Sequence, residues 1–126
     1  PAIYLEREAP QIDVNMSTES HALSEDMFHT SITVTVTAKI GDKTMFLVEC
    51  TQAGIFRIQN VPQEQIPMVL GIGCPNIVFP YLRETVSDVV IRAGFPPLLL
   101  NPVNFEALYL QQQQAQQQQA APEQTH

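Results

Sequence analysis

Apolar and polar residues alternate with a period of two over the first half of the chain, and the spacing then lengthens to that of a helix. In QIDVNMST, residues 11–18, polar residues separate Ile12, Val14 and Met16, which predicts a half-buried strand. A polar link, ESHALSED, follows at 19–26. The strongest strand signal is FHTSITVTVTAKI, 28–40. It puts Phe28, Thr30, Ile32, Val34, Val36, Ala38 and Ile40 on one face and His29, Ser31, Thr33, Thr35, Thr37 and Lys39 on the other. GDK, 41–43, predicts a turn, and TMFLVECTQAGIFRIQ predicts the returning strand.

Matching the apolar faces selects the register of that hairpin. A two-residue loop at Gly41 and Asp42 would set Ile40 opposite Lys43 and Val34 opposite Glu49, mixing core and solvent residues on each face. A three-residue loop sets Ile40 opposite Thr44, Ala38 opposite Phe46, Val36 opposite Val48 and Val34 opposite Cys50. One face is then continuously apolar, while Leu47 and Glu49 join the threonines on the other, as in a sheet covered on one side only. Ala53 and Gly54 predict a bulge, after which Ile55, Phe56 and Ile58 resume the apolar pattern.

The second half reads as helices. A short helix is expected over about 62–70, closed by Gly71 and Gly73. From 75 to 92, Val78, Leu82, Val86 and Val89 recur at helical spacing, flanked by Ile77, Tyr81, Thr85 and Val90, so the apolar sector is wide enough to meet more than one partner. Pro75 starts this long helix, Pro80 kinks it, Asp88 and Arg92 are spaced to pair, and Gly94 ends it. GFPPLLLNPVNF is a proline-stiffened connector. Asn101 before Pro102, or Asn104 before Phe105, opens a last helix, and the glutamine-rich residues 111–126 are expected to be a disordered tail. The fold class is therefore α+β: an antiparallel sheet, a long kinked helix and a C-terminal helix.

Composition narrows the function. With 126 residues there is room for one domain. Only 15% of residues are charged against 44% apolar, so the ordered part has more apolar surface than a small sheet and two helices would bury. A net charge of −7 with six scattered Lys and Arg gives no footprint for a nucleic-acid backbone or an anionic bilayer. Cys50 and Cys74 are expected to be reduced, buried thiols of a cytosolic protein, with no signal peptide and no apolar run long enough to span a bilayer. The chain begins at Pro1 without a methionine, as expected of one trimmed at its N-terminus.

No constellation for catalysis, metal or cofactor stands out: there is no P-loop, no glycine fingerprint, no HExxH and no paired Cys/His spacing. Cys74 precedes a helix, where the macrodipole would lower a thiol pKa, but no histidine has a motivated place beside it. A small thiol-dependent enzyme or ligand-binding domain using Cys74 is the alternative reading. The preferred one is a surface: Ile55, Phe56, Phe79, Tyr81 and the run from Phe95 to Leu100, with Leu98 and Leu99, sit in irregular or half-covered places and imply a hydrophobic groove, a subunit interface, or both.

CPNIVFPYLRE (74–84), QAGIF (52–56), GFPPLLLNPVNFEALY (94–109) and the Thr/Val strand before GDK together resemble the bacterial export chaperone family SecB, in order from residue 1 to about 110. The resemblance implies a SecB-like domain over 1–110 and a tail over 111–126. It implies a cytoplasmic homotetramer, a dimer of dimers, that holds unfolded precursor proteins without ATP or cofactor and delivers them to SecA for export. It implies that Phe46, Val48, Cys50 and Gln52 affect assembly, with Val78, Leu82, Val86 and Val89 of the long helix at the interface. Leu47 and Glu49 match the face that receives SecA, and Ile55, Phe56, Phe79, Tyr81 and 98–100 lie near the client grooves. The family has a further strand with acidic SecA contacts ahead of the point matched by Pro1. A SecB-like chaperone of a toxin–antitoxin system shares the same scaffold.

Overall fold

The structure, a computed structural model, describes residues 10–124, with side chains described for 10–117. The start of the matched domain, residues 1–9, and the end of the tail lie outside the described residues. Three antiparallel strands come first: β1 (Gln11–Ala22), β2 (Met27–Ile40) and β3 (Lys43–Arg57), in the spatial order β1-β2-β3. Helical turns over Gln63–Gln65, Ile66–Met68 and a wide turn at Val69–Gly73 lead without a break into α1 (Cys74–Arg92). An irregular connector precedes α2 (Phe105–Gln124).

β1 is longer than its apolar pattern suggests. Glu19 to Ala22 continue the ladder, because Ser20 pairs with Thr30 and Ala22 with Phe28, and the Ser20 and Thr30 hydroxyls are hydrogen-bonded at 2.8 Å. The link shrinks to a tight loop in which the Leu23 and Ser24 amides both donate to the Met27 carbonyl.

The β2–β3 hairpin reaches the expected face matching by a different route. Its loop has two residues, with Ile40 opposite Lys43 and Lys39 opposite Thr44, not the expected three. An irregularity then leaves Met45 as an extra residue and sets Ala38 opposite Phe46, Val36 opposite Val48 and Val34 opposite Cys50. One extra residue reverses the phase of a period-two strand, so the bulge restores the all-apolar face that a two-residue loop alone would destroy. Gly41, at φ +59°, supplies the left-handed conformation that primed hairpin turns take at their first central position.

The bulge expected at Ala53 and Gly54 is absent: both pair in register, with Ser31 and Thr30. Close packing accounts for the glycine. A Cβ at Gly54 would lie 2.9 Å from the Phe56 ring and 3.4 Å from Val78 of α1.

Ile32, Val34, Val36, Val48 and Cys50 of the sheet form one core with Val78, Phe79, Leu82, Val86 and Val90 of α1 and with Leu100 and Phe105. Each such side chain taken from water contributes about 1.5–3 kcal/mol before entropy is counted. α1 packs over β2 and β3 and leaves the same face of β1 open, so Ile12 and Val14 remain exposed. Val89 and Val90 exchange the places expected of them: Val90 is in the core and Val89 is exposed.

The expected glycine stop at Gly71 and Gly73 also fails. Gly71 instead lies beneath Tyr109 of α2, where a Cβ would come within 2.5 Å of the ring. The resulting continuous helix, Gln63–Arg92, has 30 residues and is long and apolar enough to cross a membrane by length and composition, contrary to the sequence expectation. Its Val78, Leu82 and Val86 pack on the sheet, as in a core helix.

Asp88 and Arg92 pair at 3.2 Å, and Gly94, at φ +92°, ends α1. Asn104 opens α2, its side-chain carbonyl accepting from the Ala107 amide at 3.0 Å. α2 continues through the glutamine tract to Gln124, where a disordered tail was expected. Glutamine and alanine are good helix formers, and propensity supports a helix there.

Candidate client surface and partner face

The outer face of the sheet is a hydroxyl-rich plane. Across its width Asn15, Thr35 and Glu49 fall in one row, Ser17, Thr33 and Thr51 in the next, and Asp13, Thr37 and Leu47 in a third. The Thr33 and Thr51 hydroxyls lie 2.8 Å apart, and Thr35 donates to a Glu49 carboxylate oxygen at 2.9 Å. Leu47 stands out of this plane, 61% exposed. Asp13, Glu19 and Glu49 share that face with Lys39 and Arg57, so its net charge is negative. The separation of Leu47 and Glu49 from the apolar face, read from the hairpin register, holds in three dimensions.

The expected client residues divide among several places. Phe56 and Tyr81 line a cleft of about 290 Å³ between β3 and α1, together with Gln52, Ala53, Gly54, Ile77 and Val78. Ile55 reaches the rim of this cleft, although its register opposite His29 puts it on the outer face. Leu98 lines a second, smaller pocket of about 240 Å³ with Pro10, Ile12, Ala38, Met45, Phe46, Phe95, Pro96 and Pro97. Its floor is the tilted ring pair Phe46–Phe95, with centroids 4.5 Å apart. Leu99 projects into a third, polar hollow beside Arg83, Glu84 and Asp88.

Phe79 and Leu100 do not line a surface within the chain. Phe79 is 6% exposed and meets Phe105 edge to face at 5.7 Å, and Leu100 is 8% exposed in the same core. Pro80 falls between a buried Phe79 and an exposed Tyr81, so the two aromatic rings serve opposite sides of α1.

The residues expected at a subunit interface divide in the same way. Val48, Cys50, Val78, Leu82 and Val86 are buried within the chain, because the sheet and α1 satisfy each other. Phe46 belongs to the small pocket and Gln52 to the cleft, and only Val89 of the α1 set is exposed. The outward side of α1 carries Ile77, Tyr81 and Ile91 instead. Phe95 belongs to the apolar run singled out from the sequence, whereas Ile12 and Met45 were not expected at such a surface. The bulge and the proline connector bring them together, and neither has a periodicity to read.

Cys74 is not an activated thiol. The helical turns before it mean that no free helix N-terminus points at its sulfur, and burial pushes its pKa up, only partly opposed by a hydrogen bond from Thr30. Burial also raises the Cys50 thiol, and both cysteines are free.

A family profile described as "Preprotein translocase subunit SecB" matches residues 1–117. The chain belongs to the SecB family. The Protein-export protein SecB of Thiobacillus denitrificans is 87% identical over 126 residues, all of this chain and 83% of that protein. The Methylobacillus flagellatus protein of the same name is 63% identical over 116 residues, covering 92% of this chain and 74% of that one. Among solved structures, a SecB-like chaperone of Mycobacterium tuberculosis in complex with a ChAD peptide from an antitoxin aligns with a TM-score of 0.63 at 17% identity, over 75% of this chain and 72% of that one. That likeness carries the fold, and the sequence relatives carry the role: a SecB chaperone of protein export, a family that is not an enzyme class.

Proposed function

We propose that this chain is an ATP-independent holdase of the cytoplasm that binds unfolded precursor proteins along its apolar clefts and delivers them to SecA. The observation that carries the reading is the two-sidedness of the sheet. Apolar clefts at Phe56–Tyr81 and at Phe46–Phe95 open around its helix side, while Leu47 and Glu49 stand on a flat acidic plane on the other. Shallow, separated clefts bind extended apolar segments additively, without the selectivity of a single deep pocket. The acidic plane offers docking to a basic partner that need not compete with the client.

Assembly as a homotetramer, a dimer of dimers, is part of the same proposal. Exposed Ile12 and Val14 on β1 and Ile77, Tyr81 and Ile91 on α1 are the apolar surfaces that support it. The test is suppression of aggregation of a slowly folding precursor without ATP, with the mass measured by light scattering. A monomer that leaves aggregation unchanged would sink the proposal.

A further inference from the structure

We propose that Met45 is an oxidation site through which hydroperoxides control the apolar pocket beside the β2–β3 hairpin. Met45 is the extra residue where the ladder slips, between Thr44 opposite Lys39 and Phe46 opposite Ala38. In a regular strand consecutive side chains point to opposite faces. Here Met45 and Phe46 line the same pocket of about 240 Å³, so the bulge brings a thioether into an apolar site.

Accessibility separates Met45 from the other sulfur groups. Met16 and Met27 are half-buried, and Cys50 and Cys74 are buried. Met45 and Met68 are exposed, but Met68 is not part of the pocket. In the reaction a lone pair on the thioether sulfur attacks one oxygen of hydrogen peroxide. The S–O bond forms as the O–O bond breaks, and the departing hydroxide takes the proton of the transferred oxygen. The products are one sulfoxide and one water: sulfur gives up two electrons and the peroxide accepts them. Sulfoxide reductases reverse the change.

Oxidation turns a flexible apolar side chain into a polar one whose oxygen is a strong hydrogen-bond acceptor. None of the other eight lining residues carries a polar side-chain group, and Pro10, Pro96 and Pro97 lack an amide donor as well. An apolar segment that covers the oxidised residue strips water from that oxygen and returns no donor, so oxidation weakens binding. The consequence for clients rests on the holdase reading, whereas the modification and the change in the pocket do not.

Treatment of the full chain with hydrogen peroxide, followed by peptide mass spectrometry, tests the modification. Met45 should gain one oxygen ahead of Met16 and Met27; oxidation no faster than theirs overturns the proposal. Binding of N-phenyl-1-naphthylamine, an uncharged apolar dye, reads the pocket, and binding of an unfolded precursor reads its use. Dye affinity should fall about tenfold on oxidation, as for a polar group buried without a partner. Precursor affinity should fall less, because the Phe56–Tyr81 cleft still holds it. Both should recover with sulfoxide reductase. Met45→Leu conserves volume and should bind as the unmodified chain does, with or without peroxide, while Met68→Leu stays sensitive. Met45→Gln, polar without any oxidant, should lower both affinities. Affinities that survive oxidation of Met45, or that fall equally in Met45→Leu, overturn the proposal. A chain that binds the dye but no precursor before oxidation refutes the holdase reading instead, and the dye alone then decides for the pocket.

Discussion

Replacing Gly71 by alanine tests how α2 is held against the body of the chain. The new methyl group would sit 2.5 Å from Tyr109 Cδ1 and 2.9 Å from Cε1, closer than carbon atoms approach. Tyr109 is also tied to its own helix, its hydroxyl accepting from Gln113 at 2.8 Å, and Phe105 anchors the start of α2 in the core. Overpacking of this kind costs about 1–3 kcal/mol. Replacing glycine in helical backbone offsets this by about 0.5–1 kcal/mol. The net effect expected is a loss of about 0–2.5 kcal/mol. In a Tyr109→Ala background the obstruction is gone, and the same substitution should stabilise by about 0.5–1 kcal/mol. The four-variant cycle therefore isolates a coupling of about 1–3 kcal/mol. Urea unfolding followed by far-ultraviolet circular dichroism, at one fixed chain concentration, measures it. Equal stabilisation by Gly71→Ala in both backgrounds would mean that Tyr109 does not lie on Gly71, and the docking of α2 described here would be wrong.

Further outcomes follow from the same geometry. Glu49→Lys removes an exposed acceptor of Thr35 and should change stability by only about 0.5 kcal/mol, while calorimetry with the C-terminal segment of SecA shows weakened binding and client affinity stays near normal; loss of both would mean the face is misassigned. Tyr81→Ala should weaken binding of an unfolded precursor with little change in stability, whereas Leu82→Ala, one residue on but fully buried, should cost about 2–5 kcal/mol. Thermal melts that rank these two the other way would contradict the assigned faces of α1. Burial raises both thiols above their ordinary value of 9.0, so above that pH the unfolded chain sheds protons that the folded chain keeps. Stability should hold below about pH 9 and fall as the pH rises toward the raised folded values, with a shallower fall in Cys74→Ala; a Cys74→Ala chain with an unchanged alkaline slope would remove that cysteine from the account.

The strands were legible because one rule, alternation with one covered face, governs β2 and, past the bulge at Met45, β3. Face matching alone identified the partners of Val34, Val36 and Ala38, even though the loop was misjudged. The physics selects which faces meet and does not care where the extra residue enters, so a three-residue loop and a two-residue loop followed by a bulge at Met45 satisfy it equally. A bulge was expected at Gly54 for a related reason: a glycine in a strand signals either a bulge or a close neighbour, and the neighbour here is the Phe56 ring, two residues along the same strand, whose rotamer no sequence pattern shows.

α1 shows where such reading stops for the candidate site. A wide apolar sector says that a helix has more than one partner, but its width carries no record of which stripe meets which partner. Leu82 and Val86, expected at a boundary between subunits, are consumed by the chain's own sheet, and that leaves Ile77, Tyr81 and Ile91 facing outward. The same displacement moves Phe79 from the expected groove into the core, against Phe105. Both shifts have one cause: α1 lies over β2 and β3 and leaves the Ile12 and Val14 end of β1 uncovered, so Ile12 and Val14, the hairpin pocket and the outer side of the helix are the apolar surface still open to clients or to further copies. In the proposed holdase, clients and assembly would share that surface. Substitutions along it, such as Ile77→Asp or Val14→Asp, should reveal by their separate effects on mass and on aggregation suppression which stretch serves which.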